Sequence, residues 1–140
     1  MTKDVLITVK GVQQGEAGEM SSSETVVQGE YYFRSGSHYI FYEETAEDSG
    51  EKIKSSLKLK ENTLELTRKG AVDSRMIFET GKRHAAEYAT PFGILQMETD
   101  TSRILLSEEE KGLRIKAEYD LWANGVPLSK CKLTINIKSI

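Results

Sequence analysis

One cysteine, Cys131, stands alone in 140 residues, so an internal disulfide is impossible and a reducing compartment is the expectation. No uninterrupted apolar run reaches the length of a membrane-crossing helix. The opening Met1-Thr2-Lys3-Asp4-Val5 lacks the basic-then-apolar pattern of an export signal, which points to the cytoplasm. The 19 basic residues are slightly outnumbered by 22 acidic ones. The formal net charge of −3 argues against non-specific nucleic-acid binding, although it leaves room for a local basic patch. Metal-binding chemistry has little to work with, because His38, His84 and Cys131 show no ligand spacing. Neither a glycine-rich phosphate loop nor a Gly-x-Ser-x-Gly elbow occurs.

What the chain does contain is alternation. Val5-Ile7-Val9, Ile53-Ser55-Leu57-Leu59, Leu113-Ile115-Ala117-Tyr119-Leu121 and Leu133-Ile135-Ile137 each put one set of side chains on one face of a strand. Thr, Ile and Val supply 28 of the 140 residues, a composition suited to pleated surfaces. Glycines at 36, 50, 70, 81, 112 and 125 separate the candidate strands. About ten strands are predicted, near 3–13, 24–34, 37–46, 51–60, 62–69, 73–80, 83–90, 93–106 (with a break), 112–123 and 126–139. Short turns between them imply antiparallel meanders within one domain spanning 1–140, closed as a barrel or stacked as a sandwich. The segment 82–89 (KRHAAEYA) has helix propensity and is the weakest strand. Residues 13–23 read as a flexible loop or a loosely paired hairpin end, and 107–110 as a solvated hairpin loop.

Register can be argued for two hairpins. A two-residue Asn124-Gly125 loop would set Ala117 opposite Lys132, so a three-residue loop with a bulge at Gly125 is expected, placing Ile115 opposite Leu133. The hairpin at 29–44 holds six of the eleven aromatics: Tyr31, Tyr32, Phe33, Tyr39, Phe41 and Tyr42. Assigning Tyr31, Phe33, Tyr39 and Phe41 to the interior leaves Tyr32, Ile40 and Tyr42 as an outward surface for a partner or a weak homodimer.

Other clusters have plainer readings. Gly36-Ser37-His38 lacks the support a nucleophile needs, since neighbours on a strand point apart. Both histidines read as surface or turn residues. Glu43, Glu44, Glu47, Asp48 and Glu51 read as a solvated acidic turn, and Arg68-Lys69 and Lys82-Arg83-His84 as charged strand ends.

A resemblance then enters. Gly29-Glu30-Tyr31, Ile40-Phe41-Tyr42-Glu43-Glu44, Thr67-Arg68-Lys69-Gly70 and Tyr88-Ala89-Thr90-Pro91-Phe92-Gly93 occur in order. Thr99, Ala117-Glu118-Tyr119-Asp120-Leu121 and Leu133-Thr134-Ile135-Asn136-Ile137 follow. The chain resembles the YwiB-like family of small uncharacterised bacterial proteins. That resemblance implies an all-β, single antiparallel barrel of the calycin or lipocalin kind, and it implies no activity. The lipocalin Gly-x-Trp signature near the first strand is missing, and Trp122 lies far from it.

Two functions remain open. One is a barrel that binds a small apolar or amphipathic molecule, oriented by Arg68, Thr90, Thr99 and Tyr119. The other is a non-enzymatic interaction module working through the aromatic hairpin. No activated nucleophile or acid–base pair points to an enzyme, and no cofactor, metal or membrane partner is expected.

Overall fold

The computed structural model describes residues 3–46, 49–70, 73–90 and 92–140. Ten strands follow one another: β1 (Asp4–Gly15), β2 (Met20–Arg34), β3 (Ser37–Thr45), β4 (Lys52–Lys60), β5 (Thr63–Gly70), β6 (Asp73–Glu79), β7 (Lys82–Thr90), β8 (Gly93–Glu109), β9 (Gly112–Ala123) and β10 (Val126–Ser139). Each pairs antiparallel with its sequence neighbours, and β1 pairs with β10 to close a barrel. Closure leaves the sheet without a free edge, so a meander of amphipathic strands can bury one face and solvate the other. No helix among the described residues is long and apolar enough to cross a membrane. The stretch at 13–23 is the paired end of the β1–β2 hairpin, with only Glu16–Glu19 left as its turn. The 82–89 segment is a strand despite its helix propensity.

The apolar set collects in one half of the cylinder. Val5, Ile7, Ile40, Leu57, Leu59, Leu64, Leu66, Phe78, Leu113, Ile115, Ile135 and Ile137 form a continuous core. They lie toward the rim that carries the 35–36, 61–62 and 110–111 turns, here called the lower rim. The upper rim carries the 16–19, 46–51 and 124–125 turns.

Both hairpins differ in register from the sequence expectation. The last hairpin does turn through two residues, Asn124 (φ 51°) and Gly125 (φ 78°), whose left-handed conformations suit a tight hairpin loop. The one-residue shift that keeps Lys132 off the core comes instead from a bulge between Pro127 and Ser129. Ile115 therefore faces Ile135, and Ala117 faces Leu133. Burial dictated that a shift must exist; the chain placed it beyond the turn.

The aromatic hairpin turns through Ser35 and Gly36, both at positive φ, so Tyr31 faces Ile40, Tyr32 faces Tyr39 and Phe33 faces His38. A two-residue loop pairs odd-numbered with even-numbered positions. The interior set is Tyr31, His38, Ile40 and Tyr42, and the outer set is Tyr32, Tyr39 and Phe41. Ile40 (0% exposed) and Tyr42 (5%) are thus core residues and not part of an outward surface; of the expected trio only Tyr32 faces out.

One seam is weakly sewn. Among the described residues β6 and β7 pair only at Asp73–Ala89 and Ser74–Tyr88. Below that point the Thr99 hydroxyl, arriving from β8, donates 2.7 Å to the Ile77 carbonyl. At the foot of the seam His84 Nε2 lies 2.9 Å from Glu79 Oε1, and Gly81 donates its amide to the Thr101 carbonyl.

Candidate functional site

Polar side chains occupy the apolar phase of several strands in the upper half. Gly29, Tyr42, Ser55, Arg68, Ser74 and Tyr88 are successive cross-strand partners from β2 to β7, forming one belt inside the wall. Thr101, Tyr119 and Cys131 continue the lining across β8, β9 and β10. Gly29 has no side chain for a reason: a Cβ there would sit 2.4 Å from the Phe41 carbonyl oxygen and 2.5 Å from Ile7 Cδ1.

Arg68 is half-buried, and the other five arginines are exposed. Leu64 and Leu66 precede it on the same face of β5, which fixes its inward direction. Its guanidinium and the Ser55 hydroxyl approach the Tyr42 hydroxyl. Its field also reaches Tyr119, which stacks at a tilt on Phe78 with ring centroids 4.6 Å apart. Burial holds the Tyr42 and Tyr119 phenols above their ordinary range, so both stay protonated and neutral near neutral pH. Burial likewise pushes the Cys131 thiol up, partly offset by hydrogen bonding to Ser129 and Tyr119. An inert structural thiol results. Among the described residues four buried polar atoms have no hydrogen-bond partner: Ser55 Oγ, Arg68 Nε and Thr101 Oγ1 of this lining, and Thr80 Oγ1 at the β6–β7 turn. Burying such groups unpaired costs stability unless something completes them.

The four residues expected to orient a ligand fare differently. Arg68 and Tyr119 face the same interior. Thr99 is buried, but its hydroxyl is already committed to the Ile77 carbonyl, a structural task at the weak seam. The Thr90 side chain lies outside the described residues. The sequence does not single out Ser55 or Thr101 as site residues, and it assigns Tyr42 to the outward surface, where the structure has it buried. A signal was present for Ser55, which stands in the apolar phase of Ile53-Ser55-Leu57-Leu59.

The lower mouth holds a second polar group. Tyr31 Oη lies 2.6 Å from His38 Nδ1, and His38 Nε2 lies 4.0 Å from Glu108 Oε1. His38 is buried (9% exposed) and so is not the surface residue expected, because Phe33 and Tyr31 cover its ring. Burial lowers its pKa against the opposing pull of Glu108, which favours a neutral ring accepting the Tyr31 proton at Nδ1. Burial raises the Tyr31 phenol, so this line offers no activated nucleophile. An open concavity of about 670 Å3 lies here, lined in part by Lys3, Tyr32, Phe33 and Glu108. At the upper rim another, of about 600 Å3, is bounded by Glu24, Val27, Glu43, Glu44 and Ile53.

The charged clusters are mostly spent on one another. Lys82 and His84 share Glu79, and Arg83 meets Glu98 at 2.6 Å while covering the Trp122 ring. Glu43 pairs with Lys52. Glu47 and Asp48 of the acidic turn lie outside the described residues. Among the described residues no group of three or more His, Cys, Asp or Glu converges as a metal site.

Comparison with known proteins agrees with this architecture. The chain is 34% identical over 118 residues to the uncharacterised β-barrel protein YwiB of Bacillus subtilis (strain 168), covering 84% of this chain and 80% of that protein. It superposes on the crystal structure of the ywiB protein from Bacillus subtilis with a TM-score of 0.87 at 29% identity, covering 99% of this chain and 92% of the other. Residues 7–135 match the model of a domain of unknown function, DUF1934, and the chain belongs to that family of β-barrel proteins.

Proposed function

We propose that the barrel binds a small amphipathic molecule through its upper half. The observation that carries this reading is the unequal interior. Below, apolar side chains fill the lumen; above, Ser55 Oγ, Arg68 Nε and Thr101 Oγ1 are buried without a hydrogen-bond partner among the described residues. Side chains that served packing alone would be apolar here, as they are a few residues away. The filled lower half restricts the ligand to a short one, entering by the upper rim and lying against Val27 and Ile53. Native mass spectrometry of the purified chain tests this. An adduct of a few hundred daltons, released on denaturation, is expected. A bare mass, together with no small-molecule response in amide chemical shifts of Ser55 or Thr101, overturns it.

A second reading has its own observation. Tyr32, Tyr39 and Phe41 share the outer face, Tyr32 meeting Phe41 edge-on with centroids 6.0 Å apart, and with Arg34 they border a concavity of about 400 Å3. Exposed rings on a charged surface favour self-association, so a weak homodimer across this face is the alternative. Sedimentation velocity decides it: Tyr32→Glu with Phe41→Glu should remove a concentration-dependent shift present in the parent chain. A parent that stays monomeric at high concentration ends this reading.

A further inference from the structure

We infer that the ligand bound in the upper half presents an anionic group, of carboxylate type, to the guanidinium of Arg68, an inference that rests on the small-ligand reading above. Arg68 lacks a partner of opposite charge among the described residues. Arginine keeps its charge under all ordinary conditions and can only donate hydrogen bonds. Three of the other five arginines meet acceptors: Arg75 meets Glu65, Arg83 meets Glu98, and Arg114 meets the Asn136 amide oxygen. Those three lie on the outer wall, where water would have served them. Arg68 is the arginine turned into the lumen, and among the described residues no carboxylate forms an ion pair with it.

Its neighbours do not supply the missing charge either. Tyr42 and Tyr119 remain protonated phenols, and Ser55 is neutral. Glu44, two residues along β3 from Tyr42 and on the same face, acts on the Tyr42 hydroxyl without pairing with Arg68. The Thr101 hydroxyl has no hydrogen-bond partner among the described residues, and the Ser55 hydroxyl has only the neutral Tyr42 phenol near it. The missing component is therefore an acceptor, and the fixed positive charge makes a negative acceptor the favoured one. A planar carboxylate can take two parallel N–H bonds from the guanidinium fork. The phenol of Tyr42 stands close enough to add a third donor.

The acidic side of the rim sharpens the inference. An entering anion passes Glu44, so that carboxylate opposes binding while Arg68 favours it. Two substitutions should then move affinity in opposite directions.

Binding of hexanoate, 1-hexanol and hexylamine to the full chain, followed by titration of backbone amide shifts, provides the test. Hexanoate should bind at least about tenfold more tightly than 1-hexanol, the size of one charged hydrogen bond, and hexylamine weakest. Arg68→Gln should abolish that preference, and Glu44→Gln should strengthen hexanoate binding. Equal affinity for the acid and the alcohol, unchanged by Arg68→Gln, overturns the anionic assignment and leaves the small-ligand reading intact. Absence of binding by all three probes overturns both. Should Arg68→Gln fail to fold, Glu44→Gln decides: no gain for hexanoate overturns the assignment.

Discussion

The lower and upper halves of this barrel are built from the same strands, yet they solve different problems. Below the middle, down to the Tyr31–His38 pair at the mouth, inward positions carry Ile, Leu, Val and Phe with essentially no exposed surface. Above it, the same phase carries Ser55, Arg68, Ser74, Thr101, Ser129 and two phenols. The contrast is sharp along single strands: Leu64 and Leu66 give way to Arg68, and Leu59 and Leu57 to Ser55. One half therefore supplies the hydrophobic stabilisation. The other departs from what stability alone selects, which is the usual mark of a working surface.

Substitutions can break that contrast in order of effect. Ile115→Ala or Ile135→Ala, facing each other in the packed half, should each cost about 2–5 kcal/mol in denaturant titration. Gly29→Ala should cost about 1–3 kcal/mol, because the added methyl meets the Phe41 carbonyl and Ile7 where the two halves join. Arg68→Leu should act in the opposite sense, raising stability by about 1 kcal/mol as an unpaired interior cation is replaced by an apolar side chain. A loss there would show that Arg68 is structural. His38 should add a modest pH dependence. Its pKa is lowered on folding from an ordinary value of 6.5, so the unfolded chain takes up the proton first. The stabilising contribution is complete above that value and is lost as pH falls toward the folded pKa; His38→Gln should flatten the slope in unfolding curves between neutral and mildly acidic pH. Lys132→Ala, on the solvated face opposite Glu118, should change stability by less than about 0.5 kcal/mol.

The strands were legible because period-2 alternation is a local property, and it survived even in 126–139, where a bulge interrupts it. Register was less legible. It depends on how many residues a turn spends, and one residue reverses every side chain, as Ile40 and Tyr42 demonstrate. The weak reading of 82–89 has a physical counterpart. That strand borders the seam where β6 and β7 scarcely pair, so its inward His84, Ala86 and Tyr88 never needed a strongly apolar pattern. Arg68 and Tyr119 could be named from the sequence as polar residues near an apolar lining. Their shared lumen, and the missing counter-charge, belong to contacts between strands far apart in the chain.

The pairing of β1 with β10 carries a consequence for how the molecule comes into being. Val5 rests beside Ser139, and the Ile140 amide reaches the Asp4 carbonyl, so the first strand completes one of its two ladders only with the last. On a ribosome the nine hairpins can zip in the order of synthesis, while the outer margin of β1 stays unzipped until β10 emerges. Until then the sheet would have two open margins, each able to pair with a second nascent copy. A permuted chain that joins 140 to 4 by a short linker and opens at the β6–β7 turn would move that vulnerable margin to the seam already poorest in hydrogen bonds. Its refolding yield, set against the parent's, would report which margin the chain can better leave for last.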